Sequence, residues 1–77
     1  MIEYRSVPEQ CFDPDLGNYS AYGVCACQVE QNRTTEVQAI HGVFVNAADA
    51  LSFVRRCNRL ELSPVSLWDV IQDTLGV

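Results

Sequence analysis

Residues 47–75 constrain the fold of this chain more than any other stretch, because they hold its densest apolar pattern. The pattern is typical of two amphipathic helices that are broken at Leu62-Ser63-Pro64. So short a connection predicts that the helices are spatial neighbours, in an angled or antiparallel hairpin. The preceding residues have the composition of short strands, so we expect the helix pair to cover one face of a small sheet.

The second helix is predicted from the residues at its start, from its apolar side and from the residue at its end. Ser63 suits the N-cap, and Pro64 then takes the first helical position, where its missing N–H costs nothing. Gly76 stands where a helix stop is expected. One side of the helix is apolar and is interpreted as core, although an alternative makes Trp68 part of a face that docks onto a partner. That side carries Leu67, Trp68, Ile71 and Leu75.

The first helix is predicted to begin at an Asn46 cap, with Asp49 in its first turn near the positive helix end. Its apolar side carries Ala50, Phe53, Val54, Cys57 and Leu60, with Leu51 at the margin. The opposite side carries Arg55, Arg56 and Arg59. These arginines are interpreted as a solvated face that pairs with carboxylates such as Asp69 or Asp73, and an acidic partner or a phosphate group is the alternative.

Three strands are predicted before the helices, over residues 2–7, 19–29 and 36–45. The first is an edge strand that ends at Pro8, and the connections are a turn over residues 13–18 and a short loop over residues 31–35. The second connection is too short for a parallel crossover. The sequence therefore predicts a single α+β domain over residues 1–77, a three-stranded antiparallel meander with one face packed by a C-terminal two-helix hairpin.

The register of the last two strands decides which residues share a face. If Gln31 pairs with Thr35, Cys25 lies opposite His41 and on the same side as Cys27. A loop one residue shorter or longer exchanges the faces. We prefer the first register, because it collects the apolar residues Tyr22, Val24, Ala26, Ile40 and Phe44 on one face. The other face then carries Cys25, Cys27, Val29, Val37, Ala39, His41, Val43 and Val45.

The formal charge of −5 disfavours nucleic acid and anionic membrane surfaces as partners. The sequence has no apolar run near the length of a membrane span and no apparent secretory signal, so a cytoplasmic location is expected. A reducing cytoplasm keeps thiols free, and the four cysteines are interpreted as unpaired. They are Cys11, Cys25, Cys27 and Cys57.

Two stretches carry a resemblance to a known family. They are Asn18-Tyr19-Ser20-Ala21-Tyr22-Gly23-Val24 and the block from Cys57-Asn58 through Leu62-Ser63-Pro64 to Trp68-Asp69-Val70-Ile71. Over residues 17–75 the chain resembles an uncharacterised family of very short proteins from clostridial and related Firmicutes bacteria. The resemblance implies a bacterial, cytoplasmic origin, and it implies no activity, since the family has none assigned.

The residues that suit a zinc or redox centre are Cys25, Cys27, His41 and Cys57. Such sites usually draw ligands from a Cys-x-x-Cys turn, which the sequence lacks, so we interpret the cysteines as structural thiols. In the preferred register Cys25 is a candidate nucleophile partner for His41 as a general base, but an Asp or Glu that would orient the imidazole is missing, so His41 is interpreted as a surface or interface residue. We therefore expect no catalytic residue, no metal and no cofactor, and we do not expect an enzyme.

The leading functional hypothesis is a non-enzymatic interaction or regulatory module that forms a homodimer or binds an unidentified protein. Its premise is that two helices cover one sheet face and leave the other face, or an edge, for a partner. The interface candidates are Cys25, Cys27, His41, Val43 and Val45. The alternative is a small thiol- or metal-binding protein that uses Cys25, Cys27 and His41.

Overall fold

The structure is a computed structural model and describes residues 1–76. Its elements are β1 (Ile2–Asp13), β2 (Gly17–Glu30), β3 (Arg33–Phe44), α1 (Ala47–Arg59), a 3₁₀ turn (Pro64–Ser66) and α2 (Leu67–Leu75). The three antiparallel strands form an open sheet in the order β1-β2-β3, and the two helices pack against it. The predicted α+β fold is confirmed.

The first hairpin closes at the predicted turn. Asp13 pairs with Gly17, and its Oδ1 accepts hydrogen bonds from the backbone N–H groups of Asp15 (2.8 Å) and Leu16 (3.2 Å). Gly17 has a φ of +78°, which glycine adopts without the steric penalty of a side chain. The aspartate and the glycine together fix a tight reversal between two strands that are longer than predicted.

β1 continues through Pro8, so the prediction that it ends there is wrong. The backbone N–H and C=O of Tyr4 face the outer edge of the sheet, where the Asn58 side chain binds both of them. Pro8 lies four residues farther along the same strand, so its nitrogen faces the same outer edge. A proline placed there removes no hydrogen bond of the sheet.

The turn between β2 and β3 has two residues, Gln31 and Asn32, and is shorter than predicted. By itself this turn would put Ile40 on the face opposite Val24. A register shift inserts Val37 as an extra residue in β3, and Val24 then lies opposite Ile40.

The face predicted for Ile40 is therefore correct, but the predicted register is wrong. Cys25 lies opposite Ala39 and not opposite His41.

A second irregularity lies near the end of β3. Between the pairs Val24–Ile40 and Tyr22–Phe44, β2 has one residue and β3 has three. Gly42 lies within this segment with a φ of +63°. As a result Val43 packs against the core beneath the helices, and the prediction that it belongs to the opposite face is wrong.

The core lies between α1, α2 and one face of the sheet. α1 contributes four buried side chains, all of them predicted, and the Phe44 and Phe53 rings lie 5.4 Å apart between their centroids. The cluster consists of Tyr4, Val24, Ala26, Phe44, Ala50, Phe53, Val54, Cys57, Leu67 and Ile71.

α1 begins as predicted. The Asn46 side chain accepts hydrogen bonds from the backbone N–H groups of Ala48 (2.8 Å) and Asp49 (3.2 Å). It ends in a Schellman motif, because Leu62 N–H donates to the Cys57 carbonyl and Glu61 N–H donates to the Asn58 carbonyl. Leu60 forms the C-cap and is exposed, so its predicted place in the core is wrong.

α2 differs from the prediction at its start. Ser63 precedes a 3₁₀ turn, and within residues 1–76 its side chain makes no capping hydrogen bond, so the predicted cap is wrong. The α-helix then starts at Leu67, and Leu67 and Ile71 are its buried residues. Trp68 is 51% exposed, so its assignment to the core is also wrong.

The molecule is elongated because the first hairpin extends beyond the third strand. β3 pairs with β2 only as far as Tyr22, so Gly17 to Ala21 pair with β1 alone. The radius of gyration is 13.1 Å, whereas a compact chain of this length has about 11.5 Å. Neither helix within residues 1–76 combines the length and apolar character needed to cross a bilayer.

Candidate functional site

Two thiols lie side by side on the sheet face that the helices leave open. Cys25 and Cys27 alternate along β2, and their Sγ atoms are 3.2 Å apart. The Cys25 thiol also donates to Oε1 of Glu36 on β3, at 3.3 Å. Both cysteines are nearly inaccessible, with relative exposures of 6% and 5%. They are therefore not the exposed apolar surface that the sequence led us to expect.

Charged side chains of the neighbouring strand flank the thiols. Arg5 lies opposite Cys25 and Glu3 opposite Cys27, and the guanidinium of Arg5 pairs with the Glu3 carboxylate at 2.7 Å. With Glu36 on the other side, this face presents charge around two buried sulfur atoms. Charged side chains of this kind are well hydrated, so this face needs no partner to cover it.

Burial determines the chemistry of the thiols. Loss of solvent raises the pKa of Cys25 to about 12, and the neighbouring Cys27 and Glu36 add to this effect. Burial also raises the pKa of Cys57, which lies in the core on the other side of the sheet. A thiol is a nucleophile and a metal ligand in its thiolate form, so Cys25 is neutral and unreactive at neutral pH.

A carboxylate–imidazole pair joins the two edge strands across β2. Nδ1 of His41 lies 2.5 Å from Oε2 of Glu9, and Oε1 of Glu9 accepts a hydrogen bond from the Gly42 backbone at 2.8 Å. Gly23 of β2 makes this crossing possible. A Cβ atom there would stand 2.9 Å from the Ile40 carbonyl and 3.0 Å from the Glu9 carboxylate.

The two bonded groups shift each other's protonation. The hydrogen bond to Glu9, together with its negative charge, raises the pKa of His41. The hydrogen bonds from His41 and from the Gly42 backbone lower the pKa of Glu9. The sequence analysis missed Glu9 as a partner of His41, because strand alternation relates only residues on adjacent strands, and Glu9 reaches across β2.

Gly23 also leaves a small depression of about 50 Å³ on the open face. It brings Cys25 and His41 together with the carboxylates of Glu9 and Glu36. Nevertheless, no group of three or more His, Cys, Asp or Glu side chains within residues 1–76 is placed to hold a metal ion. The depression is large enough for about one water molecule.

The helix layer presents a different kind of surface. An apolar groove of about 190 Å³ lies between α2 and β3. Trp68 forms one wall, and Leu75 is also half exposed there. The remaining walls consist of Ile40, His41, Gly42, Val43, Ile71 and Gln72.

α1 presents three arginines on its outer side. Arg56 donates to Thr74 Oγ1 at 2.9 Å and lies 5.6 Å from the centre of the Phe53 ring, so it joins the two helices. Four charges of the helix layer that the sequence predicts to pair with one another form no salt bridge with any residue between 1 and 76. They are Arg55 and Arg59 of α1 and Asp69 and Asp73 of α2. The predicted pairing of the arginines with Asp69 or Asp73 in the same chain is therefore wrong.

The five interface candidates do not form one surface. Cys25 and Cys27 are buried, His41 is exposed at the junction of the open face and the groove, and Val43 packs toward the core. Val45 is exposed in the connection between β3 and α1. On the helix layer, Trp68 is a half-exposed aromatic residue beside the apolar groove.

One family model matches residues 1–77, and its description is a family of unknown function, DUF6514. No curated protein matches the chain. No solved structure matches it either. Because the match covers the whole sequence, the chain belongs to the family of unknown function DUF6514.

Proposed function

We propose that this protein is a small non-enzymatic interaction module that associates with a second copy of itself. The observation that carries the proposal is the half-exposed Trp68 beside the apolar groove of α2 and β3. Tryptophan is enriched among the residues that dominate protein interfaces, and such residues pair with pockets. A half-exposed tryptophan beside an apolar groove is the kind of surface that a second copy covers.

The overall surface supports the same proposal. The chain exposes 5354 Å², whereas a compact monomer of its mass exposes about 4,700 Å². A standard interface removes roughly 800 Å² from each partner. Twofold association is the commonest way for a small soluble protein to bury such an excess.

The net charge and the thiols bear on the partner and the compartment. A formal charge of −5 favours a protein partner over nucleic acid or an anionic membrane. All four cysteines are free, which is the state that a reducing bacterial cytoplasm maintains, and we place the protein there. The thiol- or metal-binding alternative has weaker support, because Cys25 is held as a neutral thiol.

Sedimentation equilibrium between about 1 and 100 µM, the range of micromolar dimers, tests the proposal. We expect a dimer of twice the 8.6 kDa chain mass. Trp68→Ala should be a folded monomer that loses about 1 kcal/mol of unfolding free energy, because the side chain is half exposed. A fully buried tryptophan would lose about 3–5 kcal/mol instead.

Val65→Ala is the matched control, since Val65 is exposed in the 3₁₀ turn and lies outside the groove. It should dimerise like the wild type. A wild-type chain that remains at 8.6 kDa throughout this range would contradict the proposal.

A further inference from the structure

The two helices carry exposed charges of mostly opposite sign, because α1 has three arginines and one acid, Asp49, whereas α2 has only acids, Asp69 and Asp73. Three of the five basic residues of the chain are the α1 arginines, and Arg55 and Arg59 are exposed and form no salt bridge within residues 1–76. They border a shallow groove of about 400 Å³ in which Leu51 is also 43% exposed. α1 thus offers positive charge together with apolar area.

α2 offers the complement. Asp69 and Asp73 lie one turn apart on its exposed side, beside Trp68. Both carboxylates are also without a salt bridge among residues 1–76. The only side-chain hydrogen bond between the helices in that part of the chain joins Arg56 to Thr74. Each helix therefore presents charges that its neighbour in the same chain leaves unpaired.

The edges of the sheet are poor alternatives for association. Asn58 occupies the outward backbone groups of Tyr4, and Pro8 removes a donor farther along β1. On the other edge, β3 is interrupted beside Val37 and again at Gly42. Irregular, proline-containing and covered edges are the devices that prevent strand addition between copies.

We infer that a second copy docks through the helix layer, with α1 of each copy against α2 of the other. The inference rests on the proposed self-association and names its surface. A twofold axis makes each contact occur twice, so both arginine groups meet both aspartate pairs. Two chains of charge −5 repel each other in other orientations, and this one places opposite charges together. Trp68 and Leu51 supply apolar contact at the same surface.

A charge exchange tests the pairing. Arg55→Glu/Arg59→Glu and Asp69→Arg/Asp73→Arg change exposed residues, so both variants should fold, which circular dichroism checks. Each variant alone should associate at least tenfold more weakly than the wild type, since like charges face each other. An equimolar mixture of the two should form heterodimers of near wild-type affinity, because each acidic surface again meets a basic one.

Gln31→Glu/Asn32→Asp/Arg33→Glu is the matched control. It changes the net charge by the same four units as the arginine exchange, at a hairpin turn outside the helix layer. Its affinity should fall no more than about threefold, through general repulsion.

Four results are decisive. Weaker association of both variants, with near wild-type affinity in their mixture, supports the inference. The pairing of the helices is overturned if the mixture does not recover affinity, or if the variants dimerise as well as the control. In either case dimerisation of the wild type still upholds the proposed function. A wild-type chain that is monomeric throughout overturns both.

Discussion

At the scale of single residues, Gly23 determines what the open face of the sheet can do. Its missing side chain lets the Glu9 carboxylate cross the middle strand and reach His41 and the Gly42 backbone on the far strand. The three strands are thereby connected by side-chain contacts as well as by the backbone hydrogen bonds of the sheet. A sequence pattern of alternating residues describes neighbours on adjacent strands, so it gave no indication of a contact that spans three.

The Glu9–His41 pair predicts a pH-dependent contribution to stability. The folded pKa of His41 is raised above its ordinary value of 6.5, so its contribution is complete below that value and is lost as pH rises through the folded pKa. The pKa of Glu9 is lowered from 4.5, so its contribution is present above that value and is lost as pH falls through the folded pKa. The pair should stabilise most between about pH 4.5 and 6.5.

Proton NMR of the single histidine measures this directly. The His41 midpoint should lie above 6.5 in the wild type and return toward 6.5 in Glu9→Gln. Glu30→Gln is a matched control, because it removes a carboxylate of the same sheet that pairs with Arg33 and not with His41. A His41 midpoint that is the same in the wild type and in Glu9→Gln would mean that the pair does not form in solution.

At the scale of elements, α1 has an unusual end. Glu61 occupies the left-handed position of the Schellman motif, with a φ of +51°, where glycine is the usual residue. A side chain in that conformation is disfavoured by roughly 1–2 kcal/mol. Leu62 follows and packs against the core, so the motif also directs the chain into the 3₁₀ turn.

Glu61→Gly should therefore stabilise the domain by about 1 kcal/mol, less the entropy that glycine gains in the unfolded chain. Glu61→Ala is the control, because it removes the same charge but keeps a Cβ atom, and it should produce no such gain. Urea denaturation measures both. Equal shifts in the two variants would trace the effect to the charge and refute the backbone explanation.

The two helix starts make a second prediction at this scale. Asn46→Ala should lower the free energy of unfolding by about 1 kcal/mol, because two backbone N–H groups lose their acceptor. Ser63→Ala should change it by less than about 0.5 kcal/mol, because the Ser63 side chain makes no capping bond within residues 1–76. Thermal unfolding of the two variants and the wild type measures the difference in unfolding free energy. Equal losses would show that Ser63 caps the second helix in solution.

The elements also show how far sequence reasoning reaches. The Asn46 cap, the four buried residues of α1 and the face shared by Val24, Ile40 and Phe44 followed from periodicity. The register did not, because a tight turn and an extra residue beside Val37 compensate for each other. Trp68 was misplaced because it lies, with Leu75, at the margin of the apolar side of α2, whereas the helix buries only Leu67 and Ile71.

The candidate site was less accessible from sequence than the fold. Alternation placed Cys25 and Cys27 on one face, as the structure has them, but it gave no reason to expect their burial under charged neighbours. The unpaired charges of the helix layer are a property of three-dimensional placement. Sequence spacing alone suggested that Arg55 and Arg59 would find Asp69 or Asp73 in the same chain.

At the scale of the whole molecule, a small core and an extended shape leave apolar side chains on several surfaces. The tip of the first hairpin carries Phe12 and Leu16, which are both largely exposed. The helix layer differs from the tip because it combines an aromatic residue, a groove and charges of both signs. Complementary charge gives an interface its orientation, and apolar contact supplies most of its affinity.

The measurement that tests this account most directly is an isotope-filtered NOE experiment on an equimolar mixture of labelled and unlabelled chains. It detects only contacts between copies. We expect NOEs from the Trp68 indole of one copy to the Leu51 methyl groups of the other. NOEs confined to Ala39 and Val29 of the open face, or to the hairpin tip, would contradict docking through the helix layer.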